Sequence, residues 1–106
     1  MFEELGPADF IRQRDSDGVW QLLDVREQWE LDIASIAGAI RIPMMEIPSR
    51  KGELDPSRPV AVICHSGGRS GRVADFLSRQ GFPRVANIAG GIDAWSREVD
   101  DTVPRY

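Results

Sequence analysis

The sequence predicts an α/β fold in which helices pack against a sheet, and two patterns carry that prediction. Short apolar runs alternate along the chain with segments of helical periodicity. The run at residues 60–64 (VAVIC) is continuously apolar and rich in β-branched residues, as expected for a strand covered on both faces. With 106 residues, the chain is long enough for one domain, 1–106, and for a core without a metal or disulfide staple.

The first third of the chain predicts a helix and then a strand. Pro7 suits the first position of a helix, because its ring fixes a helical φ and an N–H there would have no partner. Asp17-Gly18 is a turn signal that ends this helix. The compact apolar run at residues 20–25 predicts the strand.

A second helix and a brief strand are predicted next. Residues 26–36 are expected to be helical, with three apolar side chains available for burial: Trp29, Leu31 and Ile33. Residues 38–43 predict a short strand closed by proline. Residues 44–47 are expected to add one helical turn before a polar stretch at 48–59.

The second half of the chain repeats the order of strand and helix. After the strand at 60–64 and a glycine-rich turn, a helix is predicted from an apolar stripe that consists of Val73, Ala74, Phe76 and Leu77. Gly81 suits the C-terminal cap of this helix. Residues 85–88 predict the last strand, and Gly90-Gly91 leads into a closing helix that carries Ile92 and Trp95.

Composition argues against several classes of partner and site. Thirteen basic and seventeen acidic residues give a net charge of −4, which argues against a nucleic-acid or anionic-membrane partner. The single cysteine and single histidine exclude an internal disulfide and a tetrahedral Cys/His zinc site, and a metal site would need carboxylate ligands alone. We expect no metal and no cofactor. No apolar run approaches ~20 residues, and the acidic N-terminus does not resemble a signal peptide, so we expect a cytoplasmic protein.

The residues best suited to chemistry are concentrated in the segment from Cys64 to Ser70. A sharp turn between a buried strand and a helix leaves backbone N–H groups without partners, and the helix dipole adds partial positive charge at the same point. Gly67 and Gly68 permit the positive φ angles that such a turn needs, and Arg69 adds a full positive charge. A thiol placed there is biased toward the thiolate. The segment therefore predicts a nucleophilic cysteine beside an anion site.

A purely structural interpretation competes for some of these residues. A lone cysteine at the end of an apolar strand is commonly a small buried hydrophobe, but the Gly-Gly-Arg-Ser sequence after it favours the nucleophile. His65 is a poor general base for Cys64, because adjacent residues point in different directions, so we place it at the substrate edge or in solvent. A Cys-His-Asp triad would need a second histidine, which the chain lacks.

Four short segments carry a resemblance to a known family. They are LDVRE at 23–27, IAGA and IP at 36–39 and 42–43, CHSGGRS at 64–70, and GGIDAW at 90–95. In this order and spacing, over residues 5–95, they make the chain similar to a single-domain rhodanese, a thiosulfate sulfurtransferase-like module. The resemblance implies a three-layer α/β sandwich whose central, mainly parallel sheet has helices on both faces.

The resemblance also implies an activity. In rhodaneses the loop cysteine takes a sulfane sulfur from a donor such as thiosulfate, becomes a persulfide, and passes the sulfur to cyanide, a small thiol or a protein thiol. Carried over, Cys64 is the nucleophile, and the acceptor protein is expected to be of a thioredoxin-like or sulfur-carrier type. The implied substrate-binding residues are His65, Ser66, Gly67, Gly68, Arg69 and Ser70, with Arg69 on the donor anion and the two serines on the sulfur or the loop.

Supporting residues and departures complete the resemblance. Asp24 and Arg26 are expected at the pocket edge, where a charged pair organises the loop rather than reacts. Three tryptophans are expected to pack in the core or at its rim: Trp20, Trp29 and Trp95. Ser35 stands where many relatives have a histidine of largely structural use.

Two other functions stay open at this point. Phosphatases and arsenate reductases of related fold have loops of the type Cys-x5-Arg, whereas four residues separate Cys64 from Arg69 here, and Ser70 occupies the position of their arginine. The shorter loop favours sulfur transfer. A persulfide carrier without turnover, serving a dedicated partner, needs the same loop as an enzyme. An inert docking module would be expected to have lost the cysteine, and this chain keeps Cys64.

Overall fold

The sheet of the protein contains five strands, all parallel. The computed structural model describes all 106 residues and places these strands in the order β1-β5-β4-β2-β3. The strands are β1 (Glu3–Leu5), β2 (Gln21–Asp24), β3 (Ile40–Arg41), β4 (Val60–Ile63) and β5 (Val85–Ile88). The predicted α/β class with a mainly parallel sheet is confirmed.

Four helices lie between strands, and a fifth follows β5. They are α1 (Pro7–Asp17), α2 (Gln28–Ile33), α3 (Ile47–Arg50), α4 (Gly68–Arg79) and α5 (Gly91–Glu98), with 3-10 turns at Met44–Glu46 and Lys51–Glu53. Pro7 begins α1 and Gly18 caps it with a φ of 67°, as predicted. Gly81, with a φ of 87°, directly follows Gln80, the cap residue of α4. No helix combines the length and the apolar character needed to cross a membrane.

Alternate residues of β4 enter two separate cores, one on each face of the sheet. Ala61 and Ile63 point to the core shared with α1 and α5, where Phe10 and Trp95 pack. Val60, Val62 and Cys64 point to the opposite core, which Ile47 of α3 and Leu77 of α4 complete, together with other apolar residues. The chain therefore forms the expected three-layer sandwich, and β4 is buried on both faces.

Several elements differ from the sequence prediction. Strand β1 was not predicted, because its Glu-Glu-Leu sequence lacks a strand pattern; it forms by pairing with β5 at the edge of the sheet. The polar stretch at 48–59 contains most of α3 and a 3-10 turn. Helix α2 has only six residues, and its inward positions are occupied by Glu30 and Leu31. The predicted burial of Trp29 and Ile33 is therefore wrong: they are 61% and 44% exposed.

Candidate active site

Cys64 directly follows β4, at the carboxyl edge of the parallel sheet. This edge is the common location of ligand sites in open α/β sheets. The neighbouring strands β2 and β5 flank β4, and the whole Cys64 residue is only 1% exposed. The cysteine is free, so its sulfur is available as a thiol.

The backbone after Cys64 curls around its sulfur. The N–H of Gly67 donates to Sγ over 3.1 Å, and the Ser70 hydroxyl lies 3.2 Å from the same atom. Gly67 makes the curl possible, because its φ of 110° lies in the left-handed region that favours glycine. Helix α4 starts at Gly68, so its N-terminus and its unpaired N–H groups face the same region. We call residues 64–70 the cysteine loop.

The cysteine loop changes the acidity of its thiol. Burial raises the pKa of Cys64, since it disfavours the charged form. Hydrogen bonds from the Ser70 hydroxyl and from the N–H groups of Ser70, Gly67 and Ser66 outweigh burial, and the pKa of Cys64 lies below its usual value. The direction agrees with the prediction from the loop's composition. The donors that produce it are neutral groups.

Helix α5 holds the start of the cysteine loop. The N–H of Ile92 donates to the carbonyl oxygen of Cys64 over 2.8 Å, and the N–H of Asp93 donates to that of His65 over 3.1 Å. Gly91 allows this approach: a Cβ atom there would lie 2.5 Å from both carbonyl oxygens, and the φ of Gly91 is 61°. Gly91 is therefore required by the backbone of the site, although it supplies no reacting group.

Arg69 is paired with a carboxylate that the sequence analysis did not select. Its Nη1 and Nη2 atoms lie 2.6 and 2.7 Å from the two carboxylate oxygens of Glu30 in α2. The Glu30 side chain is 2% exposed and that of Arg69 is 31% exposed. The hydrogen bonds from Arg69 are the main cause that lowers the pKa of Glu30 to about 2, against an opposing effect of burial. Arg69, although it belongs to the cysteine loop, is thus anchored to α2.

Asp24 and Arg26 form a buried ion pair behind α2. Arg26 Nη2 lies 2.8 Å from Asp24 Oδ2 and also donates to the carbonyl oxygen of Ala34, at the end of α2, over 2.7 Å. Both side chains are inaccessible to solvent. The guanidinium binds carbonyl groups of α2 and its C-terminal end, and the pair makes no hydrogen bond to the cysteine loop. The supporting role expected of Asp24 and Arg26 at the pocket edge stays a prediction.

Tyr106 joins these two ion pairs. Its hydroxyl donates to Glu30 Oε2 over 2.6 Å and accepts from Arg26 Nη1 over 3.1 Å. Its ring stacks on His65 with centroids 4.2 Å apart, and Trp29 meets the same ring edge-on at 6.1 Å. We call Asp24, Arg26, Glu30, Arg69 and Tyr106 the ion-pair cluster. His65 lies at the partly exposed rim, and no hydrogen bond joins it to Sγ.

Comparison with known proteins identifies the family of this chain. The family model for the rhodanese-like domain matches residues 7–98, most of the chain. The chain belongs to the rhodanese-like domain family. A rhodanese-related protein from Thermoplasma volcanium has a similar structure, with a TM-score of 0.82 and 34% identity over 92% of this chain and 94% of that one.

Curated relatives of this rhodanese-like domain include a protein of similar length and longer proteins. The sulfurtransferase of Allochromatium vinosum is 41% identical over 72% of this chain and 71% of its own length. The putative sulfur carrier protein YrkF of Bacillus subtilis is 36% identical over 92% of this chain. A chloroplastic rhodanese-like/PpiC domain-containing protein of Arabidopsis thaliana is 43% identical over 81% of it. The chain spans 52% and 30% of the length of these last two proteins.

Three residues of the rhodanese-like site were missed in the sequence. Glu30 had a weak local signal, because it stands three positions after Glu27, and the two form a capping box at the start of α2. Asn87, which contacts Ser70, lies in an apolar strand and carries no motif. Tyr106 lies beyond the last matching segment, and nothing in the sequence around it indicates a contact with α2.

Proposed function

We propose that this rhodanese-like domain transfers a sulfane sulfur through a persulfide on Cys64. The strongest support is the position of the Cys64 sulfur, at the centre of converging N–H and O–H donors that lower its pKa. Two relatives carry names of sulfur chemistry, a sulfurtransferase and a putative sulfur carrier. The thiolate is the reactive form of cysteine, and this loop favours it.

Loading is proposed to use thiosulfate or a similar anion. The Cys64 thiolate attacks the outer sulfur of thiosulfate, and a new sulfur–sulfur bond forms. The original sulfur–sulfur bond of thiosulfate breaks, and its electron pair leaves with sulfite. The product is a Cys64 persulfide whose outer sulfur carries the negative charge, and the loop N–H groups are suited to hydrogen-bond that sulfur.

In the proposed discharge step, Cys64 is the leaving group, whereas in loading it is the nucleophile. An acceptor thiolate or cyanide attacks the outer sulfur, and the bond between the two persulfide sulfurs breaks. Its electron pair stays on Sγ, so Cys64 leaves as a thiolate and the products are an acceptor persulfide or thiocyanate. The same donors that lower the pKa of Cys64 stabilise this leaving thiolate.

Arg69 is proposed to assist donor binding through its charge. Glu30 already binds both terminal nitrogens of Arg69, so its carboxylate partly compensates the positive charge. The remaining electrostatic attraction acts on the donor anion. We expect Arg69→Ala to raise the KM for thiosulfate by about tenfold, the equivalent of roughly 1.4 kcal/mol.

The mass of the intact protein after thiosulfate treatment tests the proposal. We expect the mass of one added sulfur atom, its removal by a thiol, and neither change in Cys64→Ser, because a hydroxyl cannot carry a sulfane sulfur. Circular dichroism should show that Cys64→Ser keeps the fold. Unmodified wild-type protein whose thiol is nevertheless alkylated readily would contradict the proposal.

A carrier role without turnover is the second candidate, and the name of the YrkF relative favours it. Repeated formation of thiocyanate from thiosulfate and cyanide would establish an enzyme. A protein that loads one sulfur and releases it to a protein thiol but not to cyanide would establish a carrier.

Phosphatase chemistry has less support, because Ser70 and not an arginine occupies the sixth position after Cys64 and contacts Sγ.

A further inference from the structure

The Ser70 hydroxyl stands between two groups that compete for its hydrogen. Ser70 is fully buried, and its Oγ lies 3.2 Å from Cys64 Sγ and 2.5 Å from Oδ1 of Asn87. Asn87 comes from β5 and is only 4% exposed. A hydroxyl has one hydrogen to donate, so the sulfur and the amide oxygen cannot both receive it.

The other contacts of Asn87 determine which atom of its amide faces Ser70. Its Nδ2 lies 3.2 Å from the carbonyl oxygen of Gly67 and 3.1 Å from a carboxylate oxygen of Glu4 in β1. A carbonyl oxygen can only accept, so the NH2 group must face Gly67 and the amide oxygen must face Ser70. The amide oxygen can also only accept, and Ser70 is therefore the donor in that hydrogen bond.

The Ser70 hydrogen thus has different partners in the two protonation states of Cys64. When Cys64 is a thiol, the hydroxyl donates to Asn87, and its free lone pair can accept the S–H hydrogen. When Cys64 is a thiolate, the sulfur can only accept, and the hydroxyl must turn toward it. One hydrogen bond to Asn87 is then exchanged for one charge-assisted hydrogen bond to sulfur.

We propose that Asn87 is a positioning residue that restrains Cys64 by holding the Ser70 hydrogen away from its sulfur. This inference rests on the proposed function, because it concerns the same nucleophile. It also gives the Ser70 hydrogen a different partner in each of the two steps of sulfur transfer. The hydrogen returns to Asn87 when Cys64 carries a persulfide, whose inner sulfur is uncharged, and it turns to Sγ as the outer sulfur leaves.

The effect of Asn87 on the Cys64 sulfur can be measured separately from the effects of the charged groups near it. Titratable and charged side chains on the surrounding elements include Glu4 of β1, Asp24 of β2 with Arg26 after it, Glu30 of α2, His65 of the cysteine loop, Arg69 and Arg72 of α4, Asp93 of α5, and Tyr106. None of them makes a hydrogen bond to Sγ. Glu4 alone contacts Asn87, so removal of its carboxylate is the control for charge.

The pH midpoint of Cys64 alkylation by iodoacetamide tests the proposal in the full chain. We expect Asn87→Ala to lower the midpoint by about half a unit to one unit, the equivalent of one neutral hydrogen bond. Asn87→Leu, which has the same side-chain branching and number of heavy atoms as asparagine, should behave likewise and serves if the alanine variant does not fold. Ser70→Ala should raise the midpoint, and in that background the Asn87 substitution should have no effect.

Three results would overturn the proposal. They are a higher midpoint in Asn87→Ala, an equal shift with and without the Ser70 hydroxyl, and an equal shift in Glu4→Ala, in which Gly67 still orients the amide. Alkylation needs no sulfur donor. Failure of the proposed function would appear separately, as thiosulfate-treated protein without added sulfur.

Discussion

The cysteine loop and the ion-pair cluster are neighbours, but they handle charge in opposite ways. The loop surrounds its sulfur with neutral donors, namely the N–H of Gly67 and the hydroxyl of Ser70. In the cluster, full charges face one another, as in the pair of Arg69 with Glu30. Fixed dipoles stabilise an anion without needing a counter-ion. The dipoles therefore converge on the Cys64 sulfur, whereas the formal charges hold α2 and the start of α4 together.

A change in the backbone of the loop should have the largest effect. In Gly91→Ala, the added Cβ would meet the carbonyl oxygens of Cys64 and His65 at 2.5 Å, at a φ that L-residues rarely adopt. We expect the free energy of unfolding in urea to fall by more than about 3 kcal/mol, and sulfur loading to be lost.

Gly52→Ala is the matched control for this substitution. Its Cβ would have no neighbour within 4 Å, and its φ is not in the left-handed region, so we expect a change within about 0.5 kcal/mol. If the two variants were equally stable, residue 91 would not have the role assigned to it.

As the pH falls, protonation of Glu30 should weaken the ion-pair cluster before the cysteine loop is affected. The folded pKa of Glu30, about 2, is below its ordinary 4.5, so the stability that this carboxylate contributes is fully present above about pH 4.5. It is lost as the pH falls toward 2, by about 3 kcal/mol in total. Urea denaturation at several pH values should show this loss in the wild type and less of it in Glu30→Gln. Parallel pH profiles for the two proteins would refute the assignment.

Removal of one partner from the cluster should matter more than removal of the pair. Arg69→Ala leaves the carboxylate of Glu30 buried without its main donor, and we expect a loss of about 2 kcal/mol in the free energy of unfolding. The double variant Arg69→Ala/Glu30→Gln should recover about half of that loss, since no unpaired charge remains. Additive losses in the double-mutant cycle would show that the two side chains do not depend on each other.

The smallest expected effect is that of the cluster on the thiol. Arg69→Ala should raise the alkylation midpoint of Cys64 by only a few tenths of a pH unit, because Glu30 compensates its charge. Ser70→Ala should raise it further, since that variant removes a donor at Sγ itself. The reverse order would mean that full charge, and not neutral donors, controls the reactivity of the sulfur.

The parts of the molecule that were predictable from sequence are those determined by local patterns. Strand β4, the cysteine loop and the α5 start each carry their signal within a few residues, as periodicity, glycines or a turn. Strand β1 exists because β5 is available to pair with it, and nothing in its own three residues indicates this. A helix was predicted around Trp29, but its short length and orientation on the sheet, which leave Trp29 exposed, were not.

The missed site residues depend on contacts between distant parts of the chain. Tyr106 reaches Glu30 across 76 positions, and Asn87 reaches Ser70 across 17. Such pairs form only after the strands take the order β1-β5-β4-β2-β3, so a single sequence does not reveal them. The proposed nucleophile, Cys64, is indicated by local sequence, whereas the distant side chains that surround it are brought there only by the tertiary structure.

The hydrogen bonds from α5 divide the cysteine loop into a first part, residues 64–65, whose backbone they restrain, and a later part that they do not restrain. The carbonyl groups of Cys64 and His65 are occupied by α5, so a change of backbone length there would disturb two elements at once. Ser66 and Gly68 are exposed, and neither makes a backbone hydrogen bond to α5. A residue inserted beside them would change the hydrogen bonds that Gly67 makes with Cys64 Sγ and Asn87, but it would leave the hydrogen bonds from α5 in place.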